Sequence, residues 1–281
     1  MRKFLIGIII ISAVAIGISP LLAQAPAGGA NTPSAAPLPP PGGSVADAPG
    51  RGGRAGRGRG PVVPTGPTPR LPDGKPDFSG VWRPDNGLVG DISRILKPGD
   101  AISLKPEWEA TMKARKAGDD PEANCLPTGV PRMAPYPWTI ATAPGRLFFL
   151  FEGNIHSFRQ IFMDGRQHPK DPDPTWYGHS VGHWEGDTLV IDTVGFNDLF
   201  WFDFAGHPHT EKLHTIERYT RTDLGTLVDE VTIEDPGAYN KPFTLVAKNR
   251  LDPSPNGEIM EYICQENNQD PHHITGPARP L

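Results

Sequence analysis

The sequence predicts an all-β protein, an antiparallel meander that closes into a barrel, with one short helix and a disordered N-terminal linker. Three observations carry this. From Trp138 onward the chain is a succession of strand-length runs in which apolar residues alternate with polar ones. Turn residues at hairpin spacing separate most of these runs: Pro144-Gly145, Glu185-Gly186-Asp187, Asp223-Leu224-Gly225. No helical segments alternate with the strands, so a parallel βαβ sheet is excluded and a closed antiparallel sheet is the natural solution.

Ahead of that domain lie two segments of other character. Arg2 and Lys3 precede the uncharged, Ile-rich run Phe4 to Ile18, followed by Pro20 and the small-residue stretch Ala23-Gln24-Ala25. This is the pattern of a signal peptide, residues 1–25, and it implies export to the periplasm or beyond. If it is not cleaved, the same run serves as an N-terminal membrane anchor. Residues 26–75 are dominated by Pro, Gly, Ala, Ser and Thr and contain no aromatic residue, so they cannot bury enough surface to offset their ordering entropy. The Arg-Gly run from Arg51 to Gly60 reads as a solvated basic spacer, with contact to the cell envelope as its functional alternative.

The domain then spans residues 76–270, with a flexible tail at 271–281. Phe78 to Trp82 reads as the first strand. Pro106 to Lys116 is the one credible helix, with proline in the first turn, acids early, bases late, and Trp108 and Met112 on one face. The strands that follow are expected at Trp138–Thr142, Arg146–Glu152, Ile155–Met163, Ser180–Trp184, Thr188–Val194, Leu213–Thr222, Thr226–Glu234, Phe243–Leu251 and Glu258–Gln265.

Gly80-Val81-Trp82 resembles the G-x-W signature of lipocalin-like (calycin-like) barrels, which implies Trp82 inside the barrel, although the later Thr-Asp-Tyr segment of lipocalins is missing. A broader likeness rests on Asp164-Gly165-Arg166-Gln167-His168-Pro169, Trp184 to Thr193, Pro208-His209-Thr210-Glu211 and Thr232-Ile233-Glu234-Asp235-Pro236. These segments resemble a large family of exported bacterial proteins of uncharacterised function. The resemblance implies a shared fold and brings no activity with it.

Charge narrows the partners. From Pro76 onward the chain holds 19 Lys and Arg against 30 Asp and Glu, a net −11, which argues against nucleic acid. The expected partner is a small molecule. Cys125 and Cys264 are the only cysteines, and in an oxidising compartment a pair is most simply a disulfide.

Candidate chemistry concentrates in two long loops. Asp164, Arg166, His168, Trp176, Tyr177 and His179 belong to one; Asp203, His207, His209 and Glu211 belong to the other. Carboxylate, imidazole, guanidinium and aromatic groups together suit a ligand site with acid–base chemistry, with His209, Glu211 and Asp164 as catalytic candidates. The other loop residues, with an inward Arg218, would hold the ligand. His207, His209 and His214 with Glu211 offer a set for Zn²⁺, though at no established zinc spacing. Gly178-His179-Ser180-Val181-Gly182 matches the G-x-S-x-G elbow, but prolines precede it and a hairpin follows, so Ser180 is not read as a nucleophile. Two functions remain: a hydrolase or lyase working by acid–base catalysis, and a lipocalin-like carrier without catalysis.

Overall fold

The computed structural model describes residues 62–84, 90–132, 136–153, 157–254, 257–266, 268 and 276–278. The expected signal segment (residues 1–25), residues 26–61 and most of the tail lie outside them. Among the described residues nine strands close a barrel in chain order. They are β1 (Val81–Pro84), β2 (Trp138–Ala143), β3 (Arg146–Phe151), β4 (Phe158–Phe162), β5 (His179–Glu185), β6 (Thr188–Val194), β7 (His214–Asp223), β8 (Thr226–Glu234) and β9 (Phe243–Leu251).

Parity shapes this barrel. A closed ring can be antiparallel throughout only with an even number of strands, so nine strands require a parallel pair. That pair is β4/β5, with Ile161 opposite Ser180; every other neighbouring pair is antiparallel, including the closing pair β1/β9. The consequence is a connection, residues 163–178, that starts at one end of the barrel and finishes at the other. One end carries the tight turns β2/β3, β5/β6 and β7/β8; we term it the turn end. The other, the loop end, carries the long connections β6/β7 and β8/β9.

The predicted strand Glu258–Gln265 is not formed; residues 257–266 run without a strand. The edge of β9 it would have used is taken by β1, through Trp82 opposite Leu251 and Asp252 N donating to the Val81 carbonyl at 2.8 Å. Closure leaves no edge to pair. The helix, α1 (Pro106–Ala114), ends earlier than expected because Arg115 turns extended at ψ 141°. Cys125 and Cys264 are bridged, with Cα atoms 5.6 Å apart. Residues 62–75 stay outside the core, yet they are held to the turn end: Leu224 N donates to the Gly66 carbonyl at 2.9 Å, and Arg70 forks onto Asp187 at 2.9 and 2.6 Å.

Inward-facing residues alternate along every long strand, as the pleat requires. Trp82 is among them, fully buried, with its Nε1 donating to the Phe78 carbonyl at 3.0 Å. Trp138 stacks on Phe149 in the interior, and Tyr219 meets both rings edge-on. On β7 it is Glu217 that faces in, and the expectation of an inward Arg218 is corrected: Arg218 lies on the outer face against Glu185. Glu217 meets Arg159 of β4 in a forked ion pair, Nη1 to Oε1 at 2.8 Å and Nη2 to Oε2, both side chains at most 1% exposed. Thr193, Ser180 and the Tyr219 hydroxyl complete the network. Burial pulls the Arg159 guanidinium down, but the Glu217 carboxylate more than offsets it and the net shift is upward.

Candidate functional site

The loop end is not an open mouth. Phe196, Phe200 and Phe202 from the β6/β7 connection fill it, covered by Ile92 and Val130 from the segment between β1 and β2. His209 is wedged in this plug, its ring 3.8 Å from Phe200 and 5.1 Å from Phe202. Burial drives its pKa down to about 3, and its Nε2 has no hydrogen-bond partner among the described residues. Asp203 and His207 are buried beside it, Nδ1 of His207 donating to Asp203 at 2.6 Å while Asp203 also accepts from the Ile92 and His207 amides.

These placements correct the shared catalytic cleft. Glu211 is exposed at the loop end. Asp164 sits at the turn end, one residue after Met163, whose amide donates to the Gly145 carbonyl at 2.8 Å. There it forks with Arg166, and that contact takes the Asp164 carboxyl down to about 2. The two loops do touch, but through Thr175 and Phe196, with Thr175 N donating to the Gly195 carbonyl at 3.0 Å. The zinc set is dispersed as well: His207 is held by Asp203, His209 lies among phenylalanines, and His214 is on the outer face. Among the described residues Asp91, Asp203 and His207 converge with ligand atoms within 4.8 Å. Asp203 is engaged as above, and Asp91 caps the Ser93 amide at 2.9 Å through one of its oxygens.

What the fold does bring together is a row of imidazoles and carboxylates across the outer faces of β5 to β8. His179 opens β5 and His214 opens β7. Asp192 lies between them on β6, opposite Val181 and Ile216, and so one diagonal step from each histidine. His214 is directly opposite Glu234 of β8. His168, from the long connection, completes the row. Nδ1 of His179 and Nδ1 of His168 are 2.9 Å apart; His168 Nε2 is 3.0 Å and His214 Nε2 2.9 Å from the same Asp192 Oδ1; His214 Nδ1 is 3.0 Å from Glu234 Oε2.

The acceptors set the proton positions. A carboxylate oxygen only accepts, so His168 and His214 both carry a proton on Nε2. Glu234 requires another on Nδ1 of His214, which makes that ring an imidazolium. Its pKa is raised accordingly, by the hydrogen bond to Asp192 first and by Glu234 also, against partial burial; Asp192 is lowered by the same bond. His168, when neutral, offers Nδ1 as an acceptor, and His179 donates to it from Nδ1. That leaves Nε2 of His179 unprotonated. Burial first, then the proximity of His168 and of the Arg166 guanidinium, lowers the His179 pKa.

His179 lies on the wall of a cleft of about 480 Å³ over the parallel seam. Trp176, Tyr177, Phe158 and Phe162 line it, with Asp173 at its rim. Tyr177 stacks near Phe151, and its hydroxyl meets Ser157 Oγ at 2.8 Å; burial raises it to about 12, so it stays a neutral hydrogen-bonding group. Gly178 sets the approach: at φ 63°, a Cβ there would meet the Val194 carbonyl oxygen at 2.6 Å. Ser180 faces the interior, bonded to Arg159 and Thr193, and no helix follows it. It is a core hydroxyl.

His179 lines the cleft with Trp176 and Tyr177, His168 contacts His179, and His214 joins the row through Asp192. Asp192 and Glu234 were missed. The available signal was phase: on paired strands both face outward with His214.

No family model, curated protein or solved structure matches the chain. Function is therefore read from its own geometry.

Proposed function

We propose that this is an exported barrel that binds a small molecule in the cleft over the β4/β5 seam. One observation carries the reading: a hydrogen-bonded row of five side chains ends on an unprotonated imidazole nitrogen, His179 Nε2, at an aromatic-lined cleft. The cleft volume falls within the roughly 300–1,000 Å³ typical of small-molecule sites. Such a site suits a flat or partly apolar ligand that stacks on Trp176 and donates a hydroxyl or N–H to His179.

The same row favours acid–base catalysis as a second reading. When His179 Nε2 takes a proton from the ligand, its Nδ1 proton passes to His168 Nδ1. The positive charge then rests on His168, against Asp192, and the ligand is left as the conjugate base. Asp192 and Glu234 are two negative charges against the single imidazolium of His214, so the added proton neutralises the row. Export, the bacterial family likeness and any envelope contact through the Arg-Gly run are part of this proposal. The disulfide is in keeping with an oxidising compartment.

Native mass spectrometry of the protein recovered from the exported fraction of its own cells tests the reading. A stoichiometric adduct is expected, reduced by W176A and by H179L. An adduct recovered chemically unchanged after incubation favours the carrier, and a converted one favours the catalyst. No adduct in the parent protein, or one indifferent to both substitutions, overturns the cleft as the site.

A further inference from the structure

The cleft over the β4/β5 seam is selective as well as aromatic. Strands β4 and β5 pair at Ile161–Ser180 and Phe162–Val181. Ile161 and Ser180 face the interior, so the residues one step before them, Gln160 and His179, sit side by side on the outer face. Both line the cleft. The Gln160 amide has no hydrogen-bond partner among the described residues. A donor therefore stands beside an acceptor, the Gln160 N–H beside the bare Nε2 of His179.

That pairing discriminates between functional groups. A hydroxyl donates to His179 and accepts from Gln160 with one atom; an aromatic N–H only donates, and a carboxylate only accepts. Charge points the same way. Among the described residues no lysine or arginine lines the cleft, and Asp173 at its rim is a carboxylate, which opposes an anion. Arg166 lies near, 3.8 Å from the Phe162 ring centre, but it is forked onto Asp164. The remaining walls decide what carries the hydroxyl. Phe158, Trp176 and Tyr177 offer aromatic faces, with Phe158 54% exposed at the lip. An aromatic hydroxyl, with an ordinary pKa of about 10, is also a far stronger donor to an imidazole than an aliphatic one. We infer that the ligand of this cleft is a neutral phenol, its ring against the aromatic walls and its hydroxyl between His179 and Gln160. The inference rests on the cleft being the binding site, and it adds the chemical class.

Ligand-observed NMR titration of the full chain with p-cresol, p-methylanisole and p-toluate tests it, because the three share a ring and differ in the head group. Saturable p-cresol binding is expected, with p-methylanisole about tenfold weaker for want of one donated hydrogen bond, and p-toluate not saturating. H179L and Q160L should each bring p-cresol toward the p-methylanisole affinity, and W176A should weaken both neutral probes alike. W176F, which keeps a ring, should restore them. No saturable p-cresol binding, p-cresol no tighter than p-methylanisole, or a preference that survives both H179L and Q160L would overturn the phenol class. If W176A still weakens the probes in those cases, or the native adduct still responds to it, the cleft stands and only the class is lost. Probe binding indifferent to W176A, H179L and Q160L together would remove the phenol from this cleft, and a native adduct equally indifferent would remove the cleft as well.

Discussion

Replacing Glu217 by Gln tests the interior network most severely. The amide keeps the carboxylate's shape but leaves the Arg159 guanidinium, 1% exposed, with hydroxyl partners and no counter-charge from β7. Removing one partner of a buried pair costs about 3–5 kcal/mol. For a barrel of this size each kcal/mol moves Tm by about 2–4 °C, so a fall of roughly 10 °C is expected. One compensation is built in. Asp229 is buried with its carboxyl pushed well up, by burial first and by the Glu217 charge second. Without that charge its pKa falls, and an ionised Asp229 becomes a substitute partner for Arg159. E217Q should therefore lie toward the lower end of the range, and E217Q/D229N should lose further stability. Urea unfolding of the disulfide-intact protein, with unchanged m-values, measures both. A loss under about 1 kcal/mol for E217Q, or a double variant no worse than the single one, would refute the argument that Arg159 requires an interior carboxylate.

Other expectations follow from the same contacts. D192N should lower the His214 pKa, read by NMR titration. Because that pKa is raised in the fold, its stabilising contribution is present below about 6.5 and lost as pH rises through the folded value. His209 carries the opposite sign: with a folded pKa of about 3, its burial is destabilising once the unfolded chain protonates. H209F should therefore remove about 2 kcal/mol of the stability loss between pH 7 and pH 5, while leaving cleft binding intact. Reduction of Cys125–Cys264, which spans 139 residues, should cost up to about 5 kcal/mol in urea unfolding.

Most of the barrel is legible in the sequence because one-sided burial imposes period 2, and β6, β8 and β9 run where alternation places them. The last strand failed because Glu258 to Gln265 reads as strand-like in isolation, and no local pattern reveals that β1 already holds the β9 edge. The site was half legible. His168 and His179 stand out by composition, and their loop is long because an odd-stranded ring forces a crossing from end to end. His209 misled because a histidine-rich motif hid its surroundings: Phe196, Phe200 and Phe202 upstream mark that loop as a plug, and a histidine stacked there is core. The phase error at Glu217-Arg218 has a similar origin. Both residues are charged, so polarity did not say which faced in; the partner, Arg159, lies 58 residues away.

Nitrogen-15 NMR of the histidine rings at neutral pH tests the central claim directly. His179 should appear as the neutral tautomer with its proton on Nδ1 and a bare Nε2, beside a doubly protonated His214 and a His168 protonated on Nε2. In D192N the His214 signature should revert toward neutral and the His168 proton should no longer be fixed. A His179 that carries its proton on Nε2 in the parent protein, or a neutral His214, would contradict the proton order on which the cleft's chemistry rests.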